Sequence, residues 1–216
     1  MAKLNVWGNT DKVYLAVAGW KLVQRLDDSA NVPWMIEREL TFWPNMGQIV
    51  KELHFSNVIW MITNMEIRTN DFNWNTITSL NISLDDNVIV QFNEKQMSAV
   101  TNSLLNVDFS KEIKISAYLK KDKNAFSFEQ DWVWVPWAVT KATPMDCPQP
   151  VQKLVKWVEK WDFSEYEEWF YTKAQEIIVR EFPNGKKVLN QTSIDSITAS
   201  DVSEIFDTED DWNIPF

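Results

Sequence analysis

The residues of this sequence best suited to bind a ligand are the cations and aromatic rings around a lysine-rich turn at 121–124. The flanking residues read as two strands of a hairpin, in which side chains two apart share one face. Lysines neutralise phosphate charge, and flat rings stack on bases with a gain of about 1–3 kcal/mol per base. The pattern therefore predicts a surface for single-stranded nucleic acid. Its candidate residues are Lys114, Tyr118, Lys120, Lys121, Lys123, Phe126 and Phe128.

The sequence leaves two interpretations of this hairpin open. Phe126 and Phe128 either stack on bases or fill the interior of the fold, while the lysines either hold phosphates or form a solvated turn. Continued alternation predicts that Trp132 and Trp134 lie on the same side as the two phenylalanines.

Cations and tryptophans of the first half form a second group of candidates. Lys21 and Arg25 share one strand face, and Trp34 has the same strand parity as Arg38. Trp74 lies in a polar stretch, which is typical of a ring exposed in a loop. We expect these five residues to contact nucleotides as well.

A catalytic centre is not expected in this chain. His54 is its one histidine and Cys147 its one cysteine, too few for a nucleophile–histidine pair or for a zinc site without several carboxylates. Its four glycines form no phosphate-binding motif, so we expect neither a metal ion nor another cofactor. Two other classes stay open, a phage structural protein and a tryptophan-rich β-sandwich that binds carbohydrate or acts on glycosides. For glycoside chemistry, Glu37 and Glu39 share a strand face.

Strands, one helix and a hairpin follow one another along the first 143 residues. Apolar runs and alternating patterns predict strands between residues 3 and 92. Asn93 and Gln96 form the capping pattern of a helix that ends near Asn106, and the hairpin described above follows it. This order is expected of an oligonucleotide-binding (OB) barrel, whose helix lies between its third and fourth strands. We therefore expect a mainly β, OB-like barrel with one inserted helix.

The chain after this body is predicted to form an appendage and a tail. Prolines mark a linker, residues 151–161 have apolar residues at helical spacing, and Ser164 with Glu167 predicts the start of a further helix. We expect a proline linker with C-terminal helices over residues 144–189 and a disordered acidic tail over residues 190–216.

The tail carries more than half of the net charge of −10. The last sixteen residues contain six acidic residues and no basic residue, so the rest of the chain is close to neutral. A near-neutral body can present a local basic groove in spite of the acidic total.

The end of the chain resembles the C-terminal tip of bacterial single-stranded DNA-binding proteins, in which an acidic run leads into a terminal Ile-Pro-Phe. Phage proteins that bind single strands are similar in having a body followed by an acidic tail with a terminal aromatic residue. Trp212 stands where the bacterial family usually has an acidic residue. The residues at this tip are Asp210, Asp211, Trp212, Ile214, Pro215 and Phe216.

The resemblance implies sequence-independent binding of single-stranded DNA in replication, recombination and repair, with the tail recruiting replication and recombination proteins. A free segment with an aromatic ring and a terminal carboxylate suits capture by a basic, apolar-lined pocket. We expect a cytoplasmic protein that does not enter the membrane, because the sequence has neither a long apolar run nor an apolar leader. The oligomeric state stays open, and a homodimer is one alternative.

We expect that removal of residues 201–216 keeps or raises the affinity for oligo-dT and abolishes the binding of partner proteins. The acidic tail competes with DNA for the basic surface at low salt, and its tip is what a partner holds. Titration with oligo-dT at two salt concentrations measures the first effect, and a pull-down of replication proteins measures the second. A truncated chain that no longer binds DNA would contradict this division of labour.

Overall fold

The computed structural model describes residues 12–18, 21–41, 46–72, 75–85, 87–120, 123–155 and 158–183. Strands dominate these ranges, with two helices among them. In chain order the elements are β1 (Val13–Ala18), β2 (Lys21–Leu26), β3 (Ile36–Glu39), β4 (Ile49–Phe55), β5 (Asn57–Phe72), β6 (Asn75–Leu84), β7 (Val88–Asn93), α1 (Glu94–Leu104), β8 (Glu112–Lys120), β9 (Lys123–Gln130), β10 (Val133–Trp134), β11 (Val151–Val155), β12 (Val158–Asp162) and α2 (Ser164–Glu181).

Ten of the strands form one mixed sheet in the order β10-β9-β8-β5-β6-β7-β1-β2-β4-β3. Neighbouring strands are antiparallel, except that β1 and β7 are parallel. The mainly β class predicted from the sequence is confirmed. No pairing between the outer strands β10 and β3 is seen in the described ranges, so the closed barrel that we expected is not found there.

The hydrophobic core lies on one face of this sheet. Leu15 on β1 is opposite Val90 on β7, which is opposite Ile82 on β6, and all three are buried. Val100 and Leu104 of α1 belong to the same buried cluster. Because side chains alternate along a strand, burying this row sends the intervening residues to the opposite side. We call the two sides the core face and the polar face.

Helix α1 begins as the sequence predicted. The Asn93 side chain accepts a hydrogen bond from the Gln96 backbone N–H at 3.0 Å, and the Asn93 backbone N–H donates to the Gln96 side chain at 3.1 Å. This reciprocal pair satisfies two donors that a helix start leaves without a partner. The helix ends at Leu104, close to the predicted end at Asn106.

Strands β4 and β5 are separated by the single residue Ser56. The first strand pairs with β2 and β3, and the second with β8 and β6. A register shift between Ile62 and Asn64 on β5 marks the point where pairing with β6 begins. The continuous stretch from β4 to β5 thus connects the two halves of the ten-stranded sheet.

The helix predicted over residues 151–161 is wrong. The structure has β11 and β12 there, paired antiparallel as a separate two-stranded ribbon. Its register places Val155 opposite Val158 and leaves two residues between the strands. Valine is β-branched and favours strands over helices, which explains why apolar spacing alone misassigned this short stretch.

Helix α2 begins at Ser164, as predicted, although the expected capping geometry is absent. Phe163 is its N-cap residue and makes no side-chain cap bond. The Ser164 hydroxyl and backbone N–H instead donate to Asp162 at 2.6 and 2.9 Å. An ion pair with Lys153, together with these bonds, holds the pKa of Asp162 well below its ordinary value.

The proline-containing segment after β10 packs against both helices. Asn102 of α1 is buried, and its side-chain amide donates to the Val139 carbonyl at 3.0 Å and accepts from the Val139 N–H at 2.7 Å. Val139 and Cys147 form a small buried cluster with Tyr166 and Phe170 of α2. The Asn102 amide therefore joins the sheet-and-helix body to the C-terminal helix.

We expect Asn102→Ala to lower the free energy of unfolding by about 1–3 kcal/mol, because it leaves the backbone N–H and C=O of Val139 buried without partners. Asn106→Ala is the matched control, since the Asn106 amide donates to the Pro136 carbonyl at an exposed position. Urea denaturation of the two variants measures the difference. Equal losses for both would contradict the joining role of Asn102.

Candidate functional site

The predicted cations and the predicted tyrosine whose side chains the structure describes all lie on the polar face. On β8, Ile115 points to the core face, so Lys114 and Tyr118 point to the other side. On β2, Leu22 is in the core, so Lys21 and Arg25 also point away from it. The six residues assigned to this face by strand register are Lys21, Arg25, Arg38, Lys114, Tyr118 and Lys120.

Phe126 and Phe128 lie on the core face. Phe128 is 1% exposed, and its ring centroid lies 6.2 Å from that of Phe92. Phe126 packs against the same cluster, 5.3 Å from Phe92. These positions agree with the interior-filling interpretation, and we leave both rings out of the candidate surface.

Trp134 joins the polar face through a tight turn that the sequence pattern did not reveal. Asp131 and Trp132 both have positive φ, 51° and 65°, as in a two-residue hairpin turn. Gln130 is consequently opposite Val133, and Trp134 is opposite Glu129 on the polar face. The prediction that Trp134 shares a side with the two phenylalanines is wrong, because the turn shifts the alternation by one residue.

The rings of Tyr118 and Trp134 form an aromatic platform on this face. Their centroids lie 5.9 Å apart with an interplanar angle of 57°, and Trp134 is 60% exposed. Partial burial raises the pKa of the Tyr118 hydroxyl, which stays protonated at neutral pH. The platform thus presents the exposed indole ring of Trp134, which packs against the ring of Tyr118.

Two lysines of β8 share the polar face with the aromatic platform. Lys114 forms an ion pair with Glu129 at 2.9 Å, so part of its charge is neutralised. Lys120 at the end of β8 is exposed and has no ion-pair partner within the described ranges. Lys120 is therefore the cation near the platform that is best placed to meet a phosphate.

Ser56 brings β2 to the platform strand. The Lys21 ammonium donates to the Ser56 hydroxyl at 3.1 Å, and the Ala117 N–H donates to the Ser56 carbonyl at 3.1 Å. Strand β2 also contacts β8 directly. Lys21 from the first half of the chain thus lies beside the hairpin that carries Tyr118.

The centre of the polar face is lined by amides and hydroxyls. Asn81 on β6 lies between Glu66 on β5 and Gln91 on β7, and it is fully buried. Neither side-chain amide atom of Asn81 has a hydrogen-bond partner among the described residues, and the same holds for the Ser116 hydroxyl on β8. Buried polar groups of this kind are usually satisfied by ordered water.

Arg38 is engaged in a partly buried network where β3 pairs with β4. Its guanidinium donates two hydrogen bonds to the Glu52 carboxylate, at 2.7 and 3.2 Å, and His54 lies 2.9 Å from the same carboxylate. Burial alone would raise the pKa of Glu52, but the bonds from Arg38 and His54 bring it below its ordinary value. Trp34 is 91% exposed with φ of 69°, and no contact with Arg38 is seen among the described residues.

Several predicted residues lie outside the described part of the chain. Trp74 and Lys121 belong to the ranges that the structure does not describe, and only the backbone of Lys123 is described, in β9. The same applies to the whole tail tip: Asp210, Asp211, Trp212, Ile214, Pro215 and Phe216.

The described residues hold no group of His, Cys, Asp and Glu side chains that could bind a metal ion. Burial raises the pKa of Cys147 to about 11, so its thiol is protonated and weakly reactive. Neither described helix is both long enough and apolar enough to cross a membrane.

Comparison with protein-family models, with curated protein sequences and with solved structures finds no match to this chain. The likeness of the tail tip to single-stranded DNA-binding proteins therefore remains a likeness of a few residues.

We expect Glu52→Gln to lower the free energy of unfolding at neutral pH by about 1.5–3 kcal/mol, the usual range for hydrogen bonds to a charged group. A depressed carboxyl pKa contributes stability above the unfolded-state pKa of about 4.3, and this contribution is lost as the pH falls through the lower folded-state pKa. Urea denaturation from pH 3 to 7 should show the two proteins converging in acid. Glu39→Gln, at an exposed position on β3, is the control and should change little at any pH.

Proposed function

We propose that the protein binds single-stranded DNA across the polar face of its sheet, without choice of base sequence. The observation that carries the proposal is the aromatic platform of Tyr118 and Trp134 beside lysines on the same face. Every base has a flat face, so stacking on an exposed indole ring is tolerant of sequence.

The cations around the platform supply the second requirement, neutralisation of phosphates. Lys120 is free of ion pairs in the described ranges. Lys21 of β2 lies beside β8, because its ammonium donates to Ser56, which also bonds to Ala117 of β8. Lys114 is held by Glu129 and can exchange this partner for a phosphate. A DNA strand bound along these residues would pass over the aromatic platform between the ends of β2 and β8.

We also propose that the sheet corresponds to an OB-like barrel with additional strands. Helix α1 stands between two strands of the sheet, β7 and β8, as the helix of that fold stands between its third and fourth strands. Strand β2 contacts β8 across Ser56, which brings two separated parts of the sheet order side by side. In this proposal the hairpin of β8 and β9 is the usual DNA-contacting loop.

The acidic tail is proposed to recruit replication and recombination proteins. Six acidic residues accompany the apolar residues Ile214, Pro215 and Phe216, a combination that a basic, apolar-lined pocket recognises. The same acidic residues would repel DNA phosphates, so DNA and the tail compete for the polar face instead of cooperating.

A carbohydrate ligand is the main alternative, because an exposed tryptophan braced by a tyrosine also stacks on sugar rings. The lysines beside the platform favour a polyanion, since a neutral sugar gains nothing from them. The salt dependence of binding therefore separates the two ligands.

We expect Trp134→Ala to weaken binding to a short oligo-dT by about 5- to 150-fold, the equivalent of one lost stack. Trp161→Ala is a matched control, because Trp161 is 59% exposed but lies on the ribbon of β11 and β12. Fluorescence anisotropy of labelled oligo-dT measures both. Equal effects of the two substitutions would argue against the platform.

The salt dependence of the same titration tests the phosphate contacts. Affinity should fall with salt with a log–log slope of about −0.7 per neutralised phosphate, and Lys120→Gln should reduce that slope by somewhat less than one unit. Lys141→Gln, at an exposed position outside the proposed surface, is the control. Failure of the tail-truncated chain to bind oligo-dT at low salt would overturn the proposed function, and salt-independent binding of oligosaccharides would favour the sugar alternative.

A further inference from the structure

A shallow groove of about 700 Å³ runs along the exposed side of α2. Its helical lining residues are spaced three and four apart, as on one face of a helix: Glu165, Glu168, Trp169, Thr172, Lys173 and Glu176. Pro148, from the segment after β10, lines the same groove. Charged side chains and a half-buried aromatic ring thus share one concave surface.

The Trp169 ring is the aromatic part of the groove, and the protein core holds it in place. Its centroid lies 4.9 Å from that of Phe170, with an interplanar angle of 86°. Phe170 is fully buried and belongs to the small cluster with Val139, Cys147 and Tyr166, against which Trp169 packs. A ring fixed in this way loses little freedom when a ligand stacks on it.

A cation of the same helix already lies over this ring. The Lys173 ammonium is 5.4 Å from the ring centre of Trp169, within the range of about 6 Å in which the face of an indole attracts a positive charge. The same ammonium pairs with Glu176 at 2.7 Å. The side chains of the groove therefore show which kind of group fits it, a cation between an indole ring and a carboxylate.

The groove contains more negative charge than Lys173 neutralises. Glu165 and Glu168 are both exposed and lie one helical turn apart. Lys153 of the ribbon adds positive charge near Glu165, but Asp162 holds its ammonium in an ion pair. A guanidinium suits this arrangement better than an ammonium does, because it is planar, stacks on aromatic faces and bonds to carboxylates through a fork of N–H donors.

The charge of the groove also determines which occupants it disfavours. DNA and the acidic segment of residues 201–216 are both negatively charged, so the carboxylates of α2 repel them. A neutral sugar stacks on an indole ring but gains nothing from the carboxylates. A basic segment of another protein makes use of the ring and of the carboxylates together.

We propose that the α2 groove binds a basic segment of a partner protein through an arginine side chain. The guanidinium stacks on Trp169 and donates hydrogen bonds to Glu165 or Glu168. Lys173 leaves the ring as the guanidinium enters, and its own charge repels the ligand. Lys173 is therefore an internal competitor that weakens binding.

The groove is separate from the proposed DNA-binding surface. Helix α2 packs against the core face through Ala174 and Ile177, whereas the groove lies on its outer side. Binding of a basic segment therefore does not depend on the proposed DNA binding, and each is measured with its own ligand.

Fluorescence anisotropy of a short labelled peptide of alternating arginine and leucine measures binding to the full-length chain. Trp169→Leu should raise the dissociation constant by about 3- to 30-fold, the equivalent of one lost cation–π contact. Trp34→Leu is the matched control, because Trp34 is 91% exposed and lies on the far edge of the sheet, before β3. The acidic end of the chain is the same in all variants, so its own attraction for the peptide does not affect the comparison.

Two charge substitutions test the groove without removing its ring. Glu168→Gln should weaken peptide binding more than Glu37→Gln, which removes the same charge from an exposed position on β3. Lys173→Gln should tighten binding by about 3- to 10-fold, because it removes the competing cation and releases Glu176. Lys141→Gln, also at an exposed lysine, is the control for the loss of one positive charge.

A peptide with citrulline in place of arginine keeps hydrogen-bond donors but lacks the charge, so it should bind at least about tenfold more weakly. The proposal is overturned if the citrulline peptide binds equally well, if Trp169→Leu has no more effect than Trp34→Leu, or if Lys173→Gln binds no more tightly than Lys141→Gln. A dimer of the chain that Trp169→Leu dissociates, seen by sedimentation equilibrium, would also overturn it by identifying a second copy as the occupant. The affinity for oligo-dT should be unchanged in all of these α2 variants.

Discussion

The burial of one sheet face beneath α1 is the constraint on which the rest of the structure depends. Strand side chains alternate with a period of two, so fixing Ile115 in the core also fixes Lys114 and Tyr118 on the opposite face. A slip of one residue on β8 would bury a lysine and a tyrosine and expose isoleucines. The free energy of apolar burial thereby determines where the cations and rings of the candidate surface lie, without any contact among them being needed.

The aromatic platform adds a second condition, because it takes one ring from β8 and one from β10. Trp134 reaches the polar face only because the backbone at Asp131 and Trp132 adopts positive φ, which is unusual for a tryptophan. The hairpin turn sets the register of β10 against β9 and so sets the side on which the indole lies. Two features thus determine which side chains lie on the polar face. One is strand alternation, which many sequences can satisfy, and the other is the turn at Asp131 and Trp132, which requires an unusual backbone conformation.

The parts of the fold that were predicted correctly from the sequence are those that depend on residues close together in the chain. Asn93 and Gln96 mark the start of α1 because a capping box involves residues three apart, and β8 shows its two faces through alternation alone. The ribbon was misassigned because four apolar residues within the eleven of 151–161 fit a helical spacing as well as a strand pair. Trp134 was placed on the wrong face because alternation ignores turns. The parallel pairing of β1 with β7 and the junction at Ser56 depend on contacts between distant residues, which a single sequence does not display.

The parallel pair also governs the order in which this protein can form. Val13 on β1 is opposite Val88 on β7, so the first described strand finds its neighbour only after the chain has extended through six more strands. During synthesis, the hairpin of β1 and β2 leaves the ribosome before β7 has been made, so one edge of β1 stays unpaired. Long-range pairings of this kind slow folding and prolong the exposure of strand edges. The N-terminal hairpin therefore keeps one edge of β1 unpaired until β7 has been made.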